Sequence, residues 1–257
     1  MSEIGDLINA PFTGRTSVLE THYARIRRRQ MDDFRAYSLL RLVSGYLPSR
    51  GSVLDVGCGT GGLLIFLARK GFDVRGIDRS PEMISNARAS LTEAGLCADL
   101  VGLDDLKDIK GRFTAVTALD VIEHVEDDCG MLRAMADRVE EGGRLIVTVP
   151  AIPWFFSRKD IAMGHRRRYS PKALYSAVAQ TGLKTVKLRY WNCCGVIPTL
   201  IATKIFRRAV NEQFRYDPSP KARFLNRVLR AWLTGVENRV DMPIGLTLLI
   251  VAERSKT

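Results

Sequence analysis

The chain has no CxxC pair, and its five cysteines (Cys58, Cys97, Cys129, Cys193, Cys194) are odd in number. That pattern argues against a disulfide framework or a structural zinc site, and it fits a reducing, cytoplasmic compartment. There is no run of about eighteen apolar residues, so no transmembrane helix is expected. The N-terminus, MSEIGDLINAPFTGR, lacks the basic stretch and continuous apolar core of a secretory signal. Internal repeats and low-complexity segments are missing as well.

What is present suits one folded unit. A chain of 257 residues with 46% hydrophobic content can bury a full α/β core. The formal charge of +11 points towards nucleic acid, an anionic membrane surface or an anionic substrate. An arginine-rich surface with no such partner gives the same total. The excess gathers between Arg25 and Arg29, from His165 to Arg168, and between Lys204 and Arg230. No aromatic platform interleaves with these clusters, which makes nucleic acid the less favoured partner.

Hydrophobic patterning divides the chain. Residues 1–50 read as a helical cap, with a stop at Pro48. Beyond it, short apolar runs alternate with helical segments, as in a parallel sheet with crossover helices. Strands are expected at Val53–Val56, Val74–Ile77, Cys97–Gly102, Phe113–Leu119, Arg144–Val149, Lys184–Tyr190 and Leu246–Glu253. Helices are expected at Gly61–Lys70, from Ser80-Pro81 to about Gly95, over Asp127–Glu140 with a stop at Gly142-Gly143, and from Ser170-Pro171 to Gly182. The gap before the last strand is too long for a structureless loop. It holds two candidate helices, Val196–Val210 and Lys221–Val240. The reading is a single domain: cap (1–50), Rossmann-like core (51–191), helical insertion (192–243), then the last strand and tail (244–257). The fold class is α/β, with a seven-stranded, mostly parallel sheet and helices on both faces.

The most informative stretch is VLDVGCGTG, residues 53–61, where a buried strand runs into a glycine-rich turn that opens a helix. Such a turn needs glycine for its geometry and so that a ligand can approach the backbone. Gly57, Gly59 and Gly62 also satisfy GxGxxG, which a nicotinamide-dependent oxidoreductase would share, and a plain tight turn would look the same. Two acids sharpen the reading. Asp78, at the end of the second strand, can accept hydrogen bonds from ribose hydroxyls. Asp55, inside the first strand, is costly to bury without a partner, and a cationic amine of a ligand would supply one.

VLDVGCGTG resembles motif I of class I S-adenosylmethionine-dependent methyltransferases. GIDRSPEMI, TALDVIEHVED and VEEGGRLIVTVP are similar to the later segments of that superfamily, in the same order over about Ser52 to Arg189. Within that superfamily the chain resembles ubiquinone-biosynthesis O-methyltransferases and bacterial methyltransferases of uncertain acceptor that carry a GHxRRY motif. The resemblance implies S-adenosylmethionine as cofactor. It places Asp55, Gly57, Gly59 and Gly61 on the methionine part, with Cys58 lending backbone, and Asp78 on the ribose. Arg79 and Met83 would flank the adenosine. Where the superfamily often sets an acid near the adenine, this chain has Leu103 and then Asp104, and Asp104 is the expected residue; Asp99 reads as surface. Asp120 opens the DVIEHV segment on the ligand edge and joins the cofactor set.

The acceptor side is WFFSRKDIAMGHRRRY, residues 154–169, with Trp154, Asp160, His165, Arg167, Arg168 and Tyr169 as its distinctive positions. An aromatic wall, arginines for an anionic group and a histidine near neutrality suit an acceptor site. A lid whose arginines pair with the protein's own acids is the plainer alternative. Methyl transfer depends on in-line positioning, and an oxygen or nitrogen acceptor that loses a proton wants a base. His165 is the first candidate and His124 the second, with Asp160 orienting His165. No carboxylate cluster for magnesium is evident, so no metal is expected. Val196–Val210 sets an apolar stripe beside Lys204, Arg207 and Arg208, which suits peripheral contact with an anionic membrane or burial in the core alike. The expected activity is methyl transfer to a small-molecule or lipid-linked acceptor, most naturally on oxygen. Oligomeric state stays open.

Overall fold

The computed structural model describes residues 33–102, 106–202 and 215–256. Seven strands form one sheet: β1 (Ser52–Val56), β2 (Asp73–Asp78), β3 (Asp99–Gly102), β4 (Phe113–Leu119), β5 (Val139–Pro150), β6 (Lys184–Trp191) and β7 (Thr247–Glu253). Their spatial order is β3-β2-β1-β4-β5-β7-β6. Every pair is parallel except β5–β7 and β6–β7, because β7 runs against both neighbours. The order reverses between β1 and β4, so their carboxyl ends open a crevice at the switch point where α/β sheets take ligands.

Side-chain alternation sorts the core into two layers. Leu54, Val116, Leu145 and Ile250 face one side, packed under α4 (Asp128–Ala136) and α6 (Pro171–Ala179). Val53, Ala115, Ile146 and Leu249 face the other, under α1 (Phe34–Ser44), α2 (Gly62–Ala68) and α3 (Pro81–Glu93). Strands covered on both faces read as near-continuous apolar runs, which is why the central strands stand out in the sequence. The helices begin where local chemistry says they should. Ser80 and Ser170 cap α3 and α6 through side-chain bonds to Met83 N and Ala173 N, each with proline following. Asp33 caps α1 and also accepts from Tyr216 Oη at 3.1 Å, tying the start of the cap helix to the returning insertion.

Two expectations are corrected, and a third falls partly outside the described residues. The helix before β5 ends at Ala136, short of Glu140, and residues 139–143 are drawn into β5. There Val139 pairs with Phe113 and Arg144 with Ala115, so the two glycines carry a bulge rather than a helix stop. Gly142 takes φ +72°, and a Cβ on Gly143 would stand 2.9 Å from the carbonyls of Glu140 and Thr114. The last long helix, α8, spans Pro220–Trp232 and gives way to one wider π turn over Leu233–Glu237, short of Val240. Of the helix expected over Val196–Val210, α7 (Val196–Leu200) is described; Lys204, Arg207 and Arg208 lie outside the described residues, as do most of residues 1–50. The remaining helix, α5, is one short turn at Arg158–Ala162.

Candidate functional site

The glycine loop is pinned from below and open above. Gly57 N and Cys58 N both donate to Ile77 O, at 2.8 and 2.9 Å, which fastens the loop to β2. Gly57, Gly59 and Gly61 take φ of +70°, +52° and +84°, where a Cβ is strained. Their reasons differ. A Cβ on Gly57 would meet Val121 at 2.6 Å, and one on Gly61 would meet Ala87 at 3.3 Å, so both positions serve close packing. A Cβ on Gly59 would meet nothing within 4 Å, so its face is the one open to a ligand. Cys58 turns its side chain down: it is buried beside Gly76, and burial pushes its thiol well up. It contributes backbone to the loop.

Asp55 sits in the sheet, 4% exposed, opposite Thr117 of β4. Thr117 Oγ1 donates to its carboxylate at 2.7 Å. Burial nonetheless pushes the carboxyl up to about 7, with the charge of Asp78 adding to the rise. An acid poised there gains most from a cationic neighbour. Asp78 braces the loop: Oδ2 accepts from Gly59 N at 3.0 Å and Oδ1 from Ser80 N at 2.9 Å. Met83, in the first turn of α3, is buried, and Arg79 is exposed. Asp104 lies outside the described residues.

Beyond β4 the backbone is strained. Asp120 holds φ +55°, a conformation costly for a residue with a Cβ and typical of functional edges. Its N donates to Thr148 O at 3.0 Å and its Oδ1 accepts from Thr148 Oγ1 at 3.1 Å. Arg35 of α1 reaches over this edge, with its Nη2 4.0 Å from Asp120 Oδ2. Arg35 Nε is buried and has no hydrogen-bond partner among the described residues. Sequence reasoning misses Arg35, because a lone arginine in a cap helix carries no local signal.

The turn Ile122–His124 then meets the segment after β5. Ligand-capable atoms of Glu123, His124 and His165 lie within 4.8 Å of one another. The two imidazoles stand edge to face, ring centroids 4.8 Å apart. His124 Nδ1 lies 3.2 Å from Gly164 O, and His165 Nδ1 lies 3.1 Å from Asp160 Oδ1. A carbonyl and an ionised carboxylate only accept, so both Nδ1 atoms carry protons and each Nε2 keeps its lone pair in the neutral ring. Burial, helped by His165, lowers the His124 pKa and favours that neutral form. Glu123 is fully buried, and neither of its oxygens has a hydrogen-bond partner among the described residues. Burial, with Asp120 nearby, pushes its carboxyl well above the usual range. An orphaned carboxyl beside two oriented imidazoles is a donor set suited to a divalent cation, with Asp160 as the outer carboxylate behind His165. This departs from the expectation of no metal. Glu123 lies within the DVIEHV motif, but the motif alone gives it no role; its partner His165 is distant in sequence, and only the fold closes the set.

Most of the expected acceptor residues are occupied elsewhere. Asp160 is 2% exposed and takes four bonds: Ser157 N and Oγ at 2.9 Å each, His165 Nδ1, and Arg168 Nε at 2.8 Å. Burial acts to raise its pKa, but the bonds from His165 and Arg168 outweigh it and hold the group at about 2. Arg168 also donates to Ala151 O at 3.1 Å. Arg167 donates to the carbonyls of Val125 and Glu126 and pairs with Asp128 at 3.0 Å. Tyr169, buried, donates to Asp128 Oδ2 at 2.5 Å. These side chains fasten the lid to the DVIEHV turn. An arginine grip on an anionic acceptor is not what this geometry offers. Trp154 is 57% exposed and packs edge-on against buried Phe155 at a centroid distance of 4.3 Å.

A sheet of this order, with a ligand-open glycine loop and acids closing the first two strands, defines the class I methyltransferase superfamily. The methyltransferase domain family matches residues 23–188, and the chain belongs to it. A ubiquinone biosynthesis O-methyltransferase of Xanthomonas axonopodis pv. citri is 36% identical over 141 residues, which is 53% of this chain and 59% of that protein. The chain thus spans less than two thirds of the length of such relatives. Among solved structures, the putative methyltransferase crystallised with the Haloferax volcanii Trm112 activator covers 94% of this chain and 96% of its own, at TM-score 0.62 and 19% identity. The [4+2]-cyclase SpnF aligns at TM-score 0.59 and 18% identity, covering 86% of this chain and 82% of its own. Such neighbours establish the fold alone, and a cyclase among them shows why the site must carry the function.

Proposed function

We propose that the chain transfers a methyl group from S-adenosylmethionine to an oxygen of a small-molecule or lipid-linked acceptor, at a site that also holds a divalent cation. One observation carries the reading. The glycine loop packs on Val121, two residues before Glu123, so the turn that carries Glu123 and His124 lies directly against the cofactor loop. Asp55 would take the amine of the methionine part and Asp78 the ribose, with Arg35 and Asp120 closing the edge. Oxygen as acceptor atom is supported by the O-methyltransferase relatives and by the donor set. A cation there, when bound, supplies Lewis-acid stabilisation for charge developing on an acceptor oxygen. The chain's own residues do the positioning. Asp160 fixes the His165 ring, Gly164 fixes His124, and the lid arginines hold the turn in register. Trp154, which is exposed, would supply an aromatic wall against which an acceptor can stack.

A second reading keeps His165 as a general base backed by Asp160, with no cation. Its geometry is sound, but it leaves the buried Glu123 carboxyl without a purpose. The two separate cleanly. After chelator treatment and dialysis, wild-type protein should bind Mn²⁺ or Zn²⁺ by calorimetry, and Glu123→Gln should bind about tenfold more weakly or worse. Both proteins should bind S-adenosylhomocysteine alike. Equal, negligible metal binding by both would return the assignment to the base mechanism. Failure to bind S-adenosylhomocysteine, with tight NAD binding, would sink the methyltransferase reading itself.

A further inference from the structure

Helix α8 is the most amphipathic element described, and it wears its apolar face outward. Phe224 is 68% exposed, Leu225 46%, Val228 47% and Trp232 42%. At 3.6 residues per turn, these four fall within an arc of about 100°. The buried side of the helix is narrow. Ala222 is its one buried residue, and Leu229 packs partly against the core. The helix is nonetheless firmly seated. Arg230 lies over the Tyr37 ring at 3.7 Å, Asn226 donates to Arg215 O at 3.0 Å, and Trp232 Nε1 donates to buried Glu237 at 2.7 Å. The outward stripe is therefore a fixed feature of the surface.

We infer that α8 docks on an anionic phospholipid bilayer. The charge pattern selects this occupant. Between Asp217 and Glu237 the chain holds no acidic residue, while exposed Lys221 stands at the N-terminal end of the apolar stripe and exposed Arg223 and Arg227 flank it. A basic helix with one apolar face and a charged remainder lies in the headgroup plane rather than across the membrane. Lysine and arginine next to the surface add attraction to anionic lipid. A second copy of the chain fits less well. Thirteen residues make a face about 20 Å long and about 10 Å wide, well short of the ~800 Å² per partner of a standard stable interface. Two positively charged faces would also repel. The membrane contact anticipated for the helix at Val196–Val210 is a separate expectation, and its Lys204, Arg207 and Arg208 lie outside the described residues. The inference rests on this helix alone and does not need the proposed activity.

The test uses the full chain and vesicle flotation. Vesicles of phosphatidylcholine with 30% phosphatidylglycerol, a working composition at about the scale of an anionic leaflet, should carry the protein at low salt. Pure phosphatidylcholine should not. Phe224→Gln with Val228→Gln, and separately Arg223→Glu with Arg227→Glu, should each weaken flotation at least about tenfold. Thermal melts matching wild type would show that both variants stay folded, as expected for exposed positions. Added salt should weaken the wild type further. Absence of flotation at low salt would overturn the inference, as would flotation that neither double variant reduces. A dimer in sedimentation velocity that Phe224→Gln with Val228→Gln dissolves, with no vesicle binding, would assign the face to a second copy instead.

Discussion

The two segments that carry the site, the loop after β1 and the lid after β5, solve opposite problems. The loop has almost no side chains, and what it lacks leaves room: Gly59 faces open space while its neighbours are packed tight. The lid is crowded with charge, yet Asp160, Arg167 and Arg168 are turned inward, while Arg158 and Arg166 stay exposed. Asp160, Arg167, Arg168 and Tyr169 bind one another, Asp128 and backbone carbonyls. A conspicuous run of arginines marks an acceptor site only if the guanidinium groups are left unspent. Here they form the frame that sets His165 beside Glu123 and His124.

The sharpest way to break this comparison is Asp160→Ala. It would leave Arg168 without its carboxylate and His165 without its anchor, and removing one partner of a buried pair costs about 3 kcal/mol or more. Urea melts should show that loss; a change under about 0.5 kcal/mol would mean the lid is not framed from within. The loop should behave the other way. Gly59→Leu should weaken S-adenosylhomocysteine binding about a hundredfold, with a smaller effect on stability, because the new side chain occupies space that only a ligand uses. Unchanged affinity would place the cofactor elsewhere.

Asp55 links the two properties through pH. Its folded carboxyl stands at about 7 against an ordinary 3.8. A raised acid favours folding while protonated, so its contribution is complete below about 4 and is lost as pH rises through about 7. Asp55→Asn should remove that loss. The variant should gain on wild type between pH 5 and 8, by on the order of 1 to 2 kcal/mol, while binding S-adenosylhomocysteine more weakly. Parallel stability profiles would show that the carboxyl is not held up in the folded protein. The smallest expected effect is that of Arg167→Ala. As part of the frame it should lower stability by about 1 kcal/mol and leave the acceptor Michaelis constant almost untouched once an acceptor is identified. A raised Michaelis constant with unchanged stability would restore Arg167 to the acceptor.

Much of the fold is legible because its signals are local. Apolar runs mark the central strands, and Ser-Pro steps mark the starts of α3 and α6. The boundary between α4 and β5 misleads for a matching reason. Gly142 and Gly143 look like a helix stop, but the pairing of Val139 with Phe113 recruits them into a strand bulge. That is a contact between distant segments, and no window of the sequence contains it.

The same division runs through the site. By itself the sequence determined the glycine loop, the acids at the ends of β1 and β2, and the order of strands and helices, since each depends on neighbours along the chain. The tertiary structure decided which charges remain free. It turned the lid arginines onto carbonyls and brought His165 to Glu123 and His124. It set Arg35 over Asp120 and left the apolar face of α8 in the open. Those outcomes depend on which distant group fills the space beside a side chain, and the free energy of a buried charge depends on that neighbour more than on the residue itself.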